Sequence, residues 1–357
     1  MKNSLQTRTH YFDYLRLSAM FAVMVLHVAA QNWYRTPVDT FEWQTFNVFD
    51  SLMRWGVPVF VMISGALFLG KEHTIKKIYK KNILRLVVAL FFWSIIYALW
   101  QRFVTNEITS STDFLIAVVN GHAHLWFIYM IIGLYMISPL LRKIVEDRKL
   151  AWYFAILSIV FSCLIPELIN IISLKAELPA SLLESVSAAL KINFVIGFSG
   201  YFVLGHLLNT AKIQKKNERW IYILGAVSLL FTIFFTLFVS LRGGKPTADY
   251  YSNMTVNVML MSVAVFTFFK QHLNKPMKKQ ALVVFLSKCS FGAYLIHLLI
   301  LYMLDYFCHF NSLTINPAMA VPLISVIIFV VSMGISAVLN KIPVVKDYLA
   351  WSSPSPV

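Results

Sequence analysis

Two ionisable side chains, Arg16 and His27, lie inside the first apolar run of the chain, YFDYLRLSAMFAVMVLHVAAQN, with Asp13 just before them. The interval between them is about three helical turns, so they share one stripe, roughly 16 Å apart along the axis. A charged group at hydrocarbon depth is costly and faces a protein interior or a water-filled cavity. A guanidinium suits an anionic ligand. An imidazole, with an ordinary pKa of about 6.5, can take up and return a proton. The pair fits a reaction in which an anion is held at one level and a proton is moved at another.

Other residues with chemical potential recur along the chain. Lys81 and Arg85 lie four apart at the end of the most basic stretch, KEHTIKKIYKKNILR, on one helix face. They can bind the phosphates of a nucleotide-based ligand, although the positive-inside rule alone explains many lysines of such a loop. Arg54 opens RWGVPVF; it snorkels to an interface, pairs with a carboxylate such as Asp50, or binds substrate. The stretch HAHLWF carries His124 and Trp126, which suit a sugar or acyl site, while Trp126 with Tyr129 also fits an interfacial aromatic belt. On a helix, His-x-His points its rings apart, and no metal is expected. The stretch SFGAYLIH carries Tyr294 and His297, the latter readable as a packing histidine or as part of the same outer-half chamber as His27. Asp305 falls too far along that run to pair with His297. The turn-rich GGKPTADYY places Asp249 beside two tyrosines, as in a glycan-binding loop. There is no Walker A motif, zincin helix or nucleophile elbow. Cys163, Cys289 and Cys308 lie apart and read as buried thiols.

The elements that position these groups are transmembrane helices. Hydrophobic residues make up 59% of the 357 and charged residues only 13%, about half the charge of a soluble domain. Apolar runs long enough to cross a bilayer are expected at Phe12–Asn32, Val48–Gly70, Asn82–Val104, His122–Leu141, Ala151–Leu174, Ile192–Asn209, Trp220–Leu241, Ser252–Phe269, Leu282–Phe307 and Ala318–Leu339. That makes about ten helices in a single all-α membrane domain over 1–357. Lys2 and Arg8 before the first run resemble a signal peptide, but the run is long and further spans follow, so it reads as a first span. Lys and Arg concentrate in every second loop, and the alternate loops hold only Arg35, Arg54, Arg102, Lys175, Lys191, Arg242 and Lys245. This bias predicts a multi-pass protein of the cell membrane with both termini cytoplasmic. The net charge of +15 is therefore a topology signal, not a nucleic-acid footprint. In this orientation Arg16 lies near the inner surface and His27 in the outer half, with His297 at a similar depth. The segments Trp33–Asn47 and Ser173–Lys191 are candidate outward-facing mouths.

Four stretches, FDYLRLSAMFAVMVLH, VPVFVMISGALFL, HLWFIYMIIGLYMISPLL and SFGAYLIHLLIL, follow one another in an order and spacing that resemble the integral-membrane type-3 acyltransferase family. The first carries the family's cation–ten residues–His pattern as Arg16 and His27. The resemblance covers essentially the whole chain. It implies an acyl donor, usually acetyl-CoA, entering from the cytoplasm, and transfer to a hydroxyl of an envelope glycan or lipid-linked sugar at the outer side. It implies a catalytic role for His27, and CoA binding by cations near the second inner loop. Many members carry Arg-x-x-Arg there; this chain has Lys81-x-x-x-Arg85.

The combined expectation is an O-acetyltransferase. Arg16, Lys81 and Arg85 bind acetyl-CoA; His27, with His297 and His124, does the chemistry; Arg54, Trp126, Tyr294 and Asp249 contact the acceptor. His124, Trp126, Ser64 and Tyr294 are unranked candidates for stabilising an oxyanion. Direct transfer and relay through an acyl-histidine both fit. The expected partners are the lipid bilayer, acyl-CoA and the acceptor, with no nucleic acid; a homo-oligomer is compatible with the sequence. A transporter or flippase of a lipid-linked glycan, using the buried charges for substrate or proton coupling, is the alternative, and a non-catalytic membrane scaffold is a third reading.

Overall fold

The computed structural model describes residues 9–176, 193–275 and 279–342. Among the described residues the secondary structure is helical, without strands. The helices are α1 (Tyr11–Ala30), α2 (Phe41–Met53), α3 (Gly56–Phe68) and α4 (Ile75–Phe103). There follow α5 (Ser111–Asn120), α6 (Trp126–Glu146), α7 (Arg148–Ile159) and α8 (Ile165–Ala176), the last two joined through a π-turn at Val160–Leu164. The chain closes with α9 (Asn193–Thr210), α10 (Lys215–Gly243), α11 (Val256–His272), α12 (Gln280–Cys308) and α13 (Pro317–Leu339). Nine helical stretches among the described residues are long and apolar enough to cross a membrane. The sixth expected run also forms a helix, α9, which is kinked at Gly197. The protein is a multi-pass, all-α membrane protein.

Side-chain caps set several helix starts. Thr40, Thr74 and Ser110 each accept the backbone N–H three residues on, at the starts of α2, α4 and α5, which satisfies an otherwise orphaned donor. Asn316 caps α13, with Pro317 at its first position. Apolar side chains facing outward along α10 and α13, such as Phe234, Phe238, Val330 and Val338, fit a lipid-facing surface.

α1 is the axis of the bundle. Leu15, Ala19, Met20, Met24 and Val28 are fully enclosed, because α2, α3, α12 and α13 all pack against this helix. α3 and α9 cross in close contact. A Cβ at Gly65 would lie 1.8 Å from the Phe202 carbonyl oxygen, and one at Gly205 would lie 2.0 Å from that of Met62. The Ser64-Gly65 pair inside a membrane helix thus serves close packing, as small residues do in bilayers. Gly65→Ala is expected to force the two backbones apart, at a cost of about 1–3 kcal/mol or more. A detergent thermal-unfolding midpoint unchanged from wild type would contradict this.

Several boundaries differ from the sequence expectation. The second run is broken at Arg54-Trp55 into α2 and α3, where Arg54 turns back to pair with Asp50. α4 begins at Ile75, seven residues before Asn82, and contains a π-helical segment at Ile78–Ile83. α6 begins at Trp126, because His122 opens a 3-10 turn, Ala123–Leu125, behind Gly121 with φ of +70°. Cys308 is exposed at the end of α12, whereas Cys163 and Cys289 are buried. Within the segment Trp33–Asn47, Trp33 and Trp43 are buried with their rings tilted and centroids 4.5 Å apart, while Tyr34, Arg35 and Phe41 are exposed. Of the other expected mouth, Ser173–Lys191, the part from 177 onward lies outside the described residues, as do Lys2 and Arg8.

Candidate active site

The bundle encloses a cavity of about 450 Å³. α1 contributes Arg16, Val23 and His27 to its wall, and α3 contributes Val57, Phe60, Ser64, Leu67 and Phe68. The spacing of seven and four residues on α1 is that of one helical face, so the stripe expected from sequence is real and faces inward. His73, Lys77, Lys81, Asn82 and Arg85 supply the polar lining beside Arg16. His124, Trp126, Phe127 and Tyr294 line the cavity with His27, and Tyr135, Ser290 and Phe291 complete the polar and aromatic wall. Among the described residues no Asp or Glu lines the cavity.

The cationic end has a definite geometry. Arg16 donates from Nη1 to Ser287 Oγ at 3.1 Å. The π-helical segment places Lys77, Lys81 and Arg85 on the cavity side together, and the Arg85 guanidinium lies 5.8 Å from the centre of the Phe291 ring. Phe68 stacks on Tyr135 with centroids 4.5 Å apart and touches His73 at 4.4 Å. Both ring nitrogens of His73 are buried without a hydrogen-bond partner among the described residues. Burial, then the Lys77 charge, pushes the His73 pKa below 6.5, so the ring is neutral at pH 7. The connection carrying His73 is tied to α6 by Glu72, which accepts from Arg142. That contact holds the Glu72 carboxyl below its ordinary range.

At the far end four histidine rings meet. His27 and His297 have centroids 5.1 Å apart, and His297 and His124 are 5.3 Å apart. A carbonyl only accepts, so His124 Nε2, 3.4 Å from the Leu295 oxygen, carries the hydrogen. In the neutral ring, His124 Nδ1 then accepts from His122 Nδ1–H across 3.1 Å. His122 Nε2 in turn accepts from the Tyr302 hydroxyl at 3.4 Å. The expectation that His-x-His points its rings apart therefore fails, because the pair sits on a 3-10 turn. The Tyr97 hydroxyl fixes the neighbouring turn of α12: it donates to the Leu295 carbonyl at 2.9 Å and accepts the Leu299 amide at 3.1 Å.

The candidate oxyanion donors separate on inspection. The Ser64 hydroxyl donates to the Phe60 carbonyl at 2.9 Å, and the Tyr294 hydroxyl donates to the His124 carbonyl. Both nitrogens of His124 are committed as described. Trp126 lines the cavity, stacks near Phe198 at 5.5 Å, and its indole N–H has no hydrogen-bond partner among the described residues.

Two of the expected substrate contacts stand apart. Arg54 pairs with Asp50 at 2.6 Å and donates to the Tyr251 carbonyl at 3.2 Å, over the Tyr251 ring. Of the alternatives open from sequence, it takes the carboxylate, and it does not line the cavity. Asp249 lies exposed on a 3-10 turn, Asp249–Tyr251, and is also absent from the lining. His297 is buried behind His27, outside the lining. Asp305 accepts from Gln31 and Asn311 and has no contact with His297. Sequence reasoning did not single out His73, Lys77, Asn82, Tyr97 or Tyr135; their signals were a lysine-rich loop and scattered polar residues on apolar helices.

A family model described as "Acyltransferase domain" matches residues 9–340 of the chain. No curated protein and no solved structure matches it.

Proposed function

With that match spanning nearly all of its length, the chain belongs to the type-3 acyltransferase family, and we propose that it moves an acetyl group from cytoplasmic acetyl-CoA to a hydroxyl of an envelope glycan or lipid-linked sugar. The observation that carries this reading is one cavity with Arg16, Lys77, Lys81 and Arg85 in the same wall as His27, and no carboxylate in the lining among the described residues. Such a cavity favours a ligand that is anionic at one end and neutral at the other. CoA meets that description, and an extended pantetheine arm is comparable to the rise from Arg16 to His27, roughly 16 Å.

The proposed orientation follows the Lys and Arg bias: the termini and the Arg16 end on the cytoplasmic side of the plasma membrane, His27 in the outer half. Phosphates sit among the cations, where charge-assisted hydrogen bonds are strongest. Beside them, Phe68 and His73 offer a stacking surface. His27 takes the proton of the acceptor hydroxyl as its oxygen attacks the thioester carbonyl carbon. The C–O bond forms and the carbonyl π pair moves onto oxygen, for which the Trp126 N–H, on a ring that lines the cavity, is the proposed donor. The intermediate then collapses, the C–S bond breaks, and the CoA thiolate takes the proton from His27. The products are an ester and free CoA. Only one shared cavity is needed, which favours direct transfer over an acyl-histidine relay.

The surroundings of His27 support a short, uncharged acyl group. Val23, Val57, Phe60 and Phe127 line the cavity with it, and the nearby cation Arg54 is bound to Asp50. A succinyl carboxylate would be desolvated there without a counter-charge. Acetyl-CoA is expected to outperform succinyl-CoA by about 100-fold or more in kcat/KM, corresponding to the roughly 3 kcal/mol attached to an unpaired buried charge; equal rates from the two donors would contradict the acetyl assignment. The basic test of the reading is acceptor-dependent release of free CoA thiol by purified protein.

His73 gives the donor site a pH signature. Its ring is neutral when free, and a phosphate beside it raises its proton affinity. Binding of the donor then takes up a proton, so affinity for CoA rises as pH falls toward and below 6.5. Calorimetric binding at several pH values should show this slope in wild type and a shallower one in His73→Asn. Identical slopes would remove His73 from the donor site.

A further inference from the structure

His297 is 1% exposed, on α12, directly behind His27. Its Nδ1 lies 2.6 Å from the Tyr294 carbonyl oxygen. Because that oxygen only accepts, Nδ1 carries the hydrogen, and Nε2 of the neutral ring is a bare acceptor. Nε2 is buried with no hydrogen-bond partner among the described residues, and buried polar atoms are normally satisfied. The adjacent ring of His27 faces the cavity, whereas His297 does not. His124 has both nitrogens committed, to Leu295 and to His122, and among the described residues no Asp or Glu lines the cavity.

We propose that His297 is the positioning residue of the site: the two rings, 5.1 Å apart between centroids, make no hydrogen bond in the unliganded structure, and when substrate enters the cavity a turn of the His27 ring brings its N–H onto Nε2 of His297, which aims the other nitrogen of His27 toward the acceptor hydroxyl and holds the ring while it carries the proton. The inference rests on the reading of His27 as general base. In outline it is the role a buried carboxylate plays behind a catalytic histidine, here filled by a neutral imidazole whose tautomer is set by its own helix. Tyr97 contributes by fixing the Leu295–Leu299 turn on which His297 sits. A neutral acceptor avoids placing a bare carboxylate at hydrocarbon depth.

Two amide substitutions separate positioning from packing. His297→Asn keeps a hydrogen-bond donor near the place of Nδ1 and lacks an acceptor at the place of Nε2. His297→Gln reaches the place of Nε2 with its amide oxygen. In the full-length protein, His297→Asn is expected to lower kcat by about 100-fold, with KM for acetyl-CoA and the detergent unfolding midpoint close to wild type. His297→Gln is expected to retain at least about a tenth of kcat. Should His297→Asn fail to fold, His297→Leu, which keeps the site apolar and also lacks the acceptor, is expected to show the same loss. Equal impairment in the Asn (or Leu) and Gln variants, a loss confined to KM, or a wild-type kcat without the acceptor would each overturn the positioning role. His27→Ala, assayed in parallel, separates the two levels of the argument. If it is active, or if wild type transfers no acyl group, the general-base reading fails. If wild type is active and His27→Ala is not, a wild-type-like His297→Asn overturns only the inference drawn from His297.

Discussion

His27→Ala abolishes acyl transfer while leaving acetyl-CoA binding and the fold in place; this is the largest effect expected of any single substitution. His27 is the histidine on the cavity-facing stripe of α1, and general-base catalysis contributes about 10²–10⁴-fold. The ring lines the cavity together with Phe60 of α3, Phe127 of α6 and Tyr294 of α12 and caps no helix, so its loss costs little structure. Turnover and CoA affinity measured on the same preparation check the prediction. A kcat within about tenfold of wild type, well inside the range assigned to a general base, would remove His27 from that role.

The second large effect is expected at the cationic end. Lys81→Ala combined with Arg85→Ala should raise KM for acetyl-CoA steeply and change kcat little. Each hydrogen bond to a charged partner contributes about 1.5–3 kcal/mol, so losing one such contact raises KM by about 10–100-fold and losing both has a larger effect. Both side chains line the cavity on the face set by the π-helical segment Ile78–Ile83. Arg16→Ala should act in the same direction, with an added structural cost from its hydrogen bond to Ser287. Increasing salt should weaken donor binding in wild type more than in the double variant, since screening acts on those charges. An unchanged KM in the double variant would place the donor phosphates elsewhere.

The parts of the site legible in sequence were those fixed by helix periodicity. Arg16 and His27 could be assigned to one stripe from spacing alone, and His297 to a matching depth from the direction of its span. The rest depended on departures from regular helix. The π-turn at Ile78–Ile83 shifts the register of α4 and brings Lys77 and Asn82 to the cavity with Lys81 and Arg85. Nothing in KEHTIKKIYKKNILR announces that shift, and its lysines read equally well as topology signals. Gly121 and the 3-10 turn after it bring His122 and His124 together, against the helical reading of His-x-His. Arg54 carried a correct alternative, since its partner Asp50 stands four residues earlier. Asp249 illustrates the opposite case: a loop of plausible composition gave no information about where the turn carries it. His73 was hidden in a basic loop, and only its burial against Phe68 marks it.

The central claim is that the cavity joins a cytoplasmic acyl-CoA site to an outer-side acceptor site through His27. It is tested most directly by reconstituting wild-type and His27→Ala protein into vesicles, supplying acetyl-CoA labelled in the acetyl group on the Lys81–Arg85 side, and following the label into a sugar acceptor on the opposite side by mass spectrometry. The account predicts labelled ester on the acceptor and one free CoA per ester formed with wild type, and neither with His27→Ala. Movement of a lipid-linked acceptor across the membrane without consumption of acetyl-CoA, or equal labelling by both proteins, would contradict it.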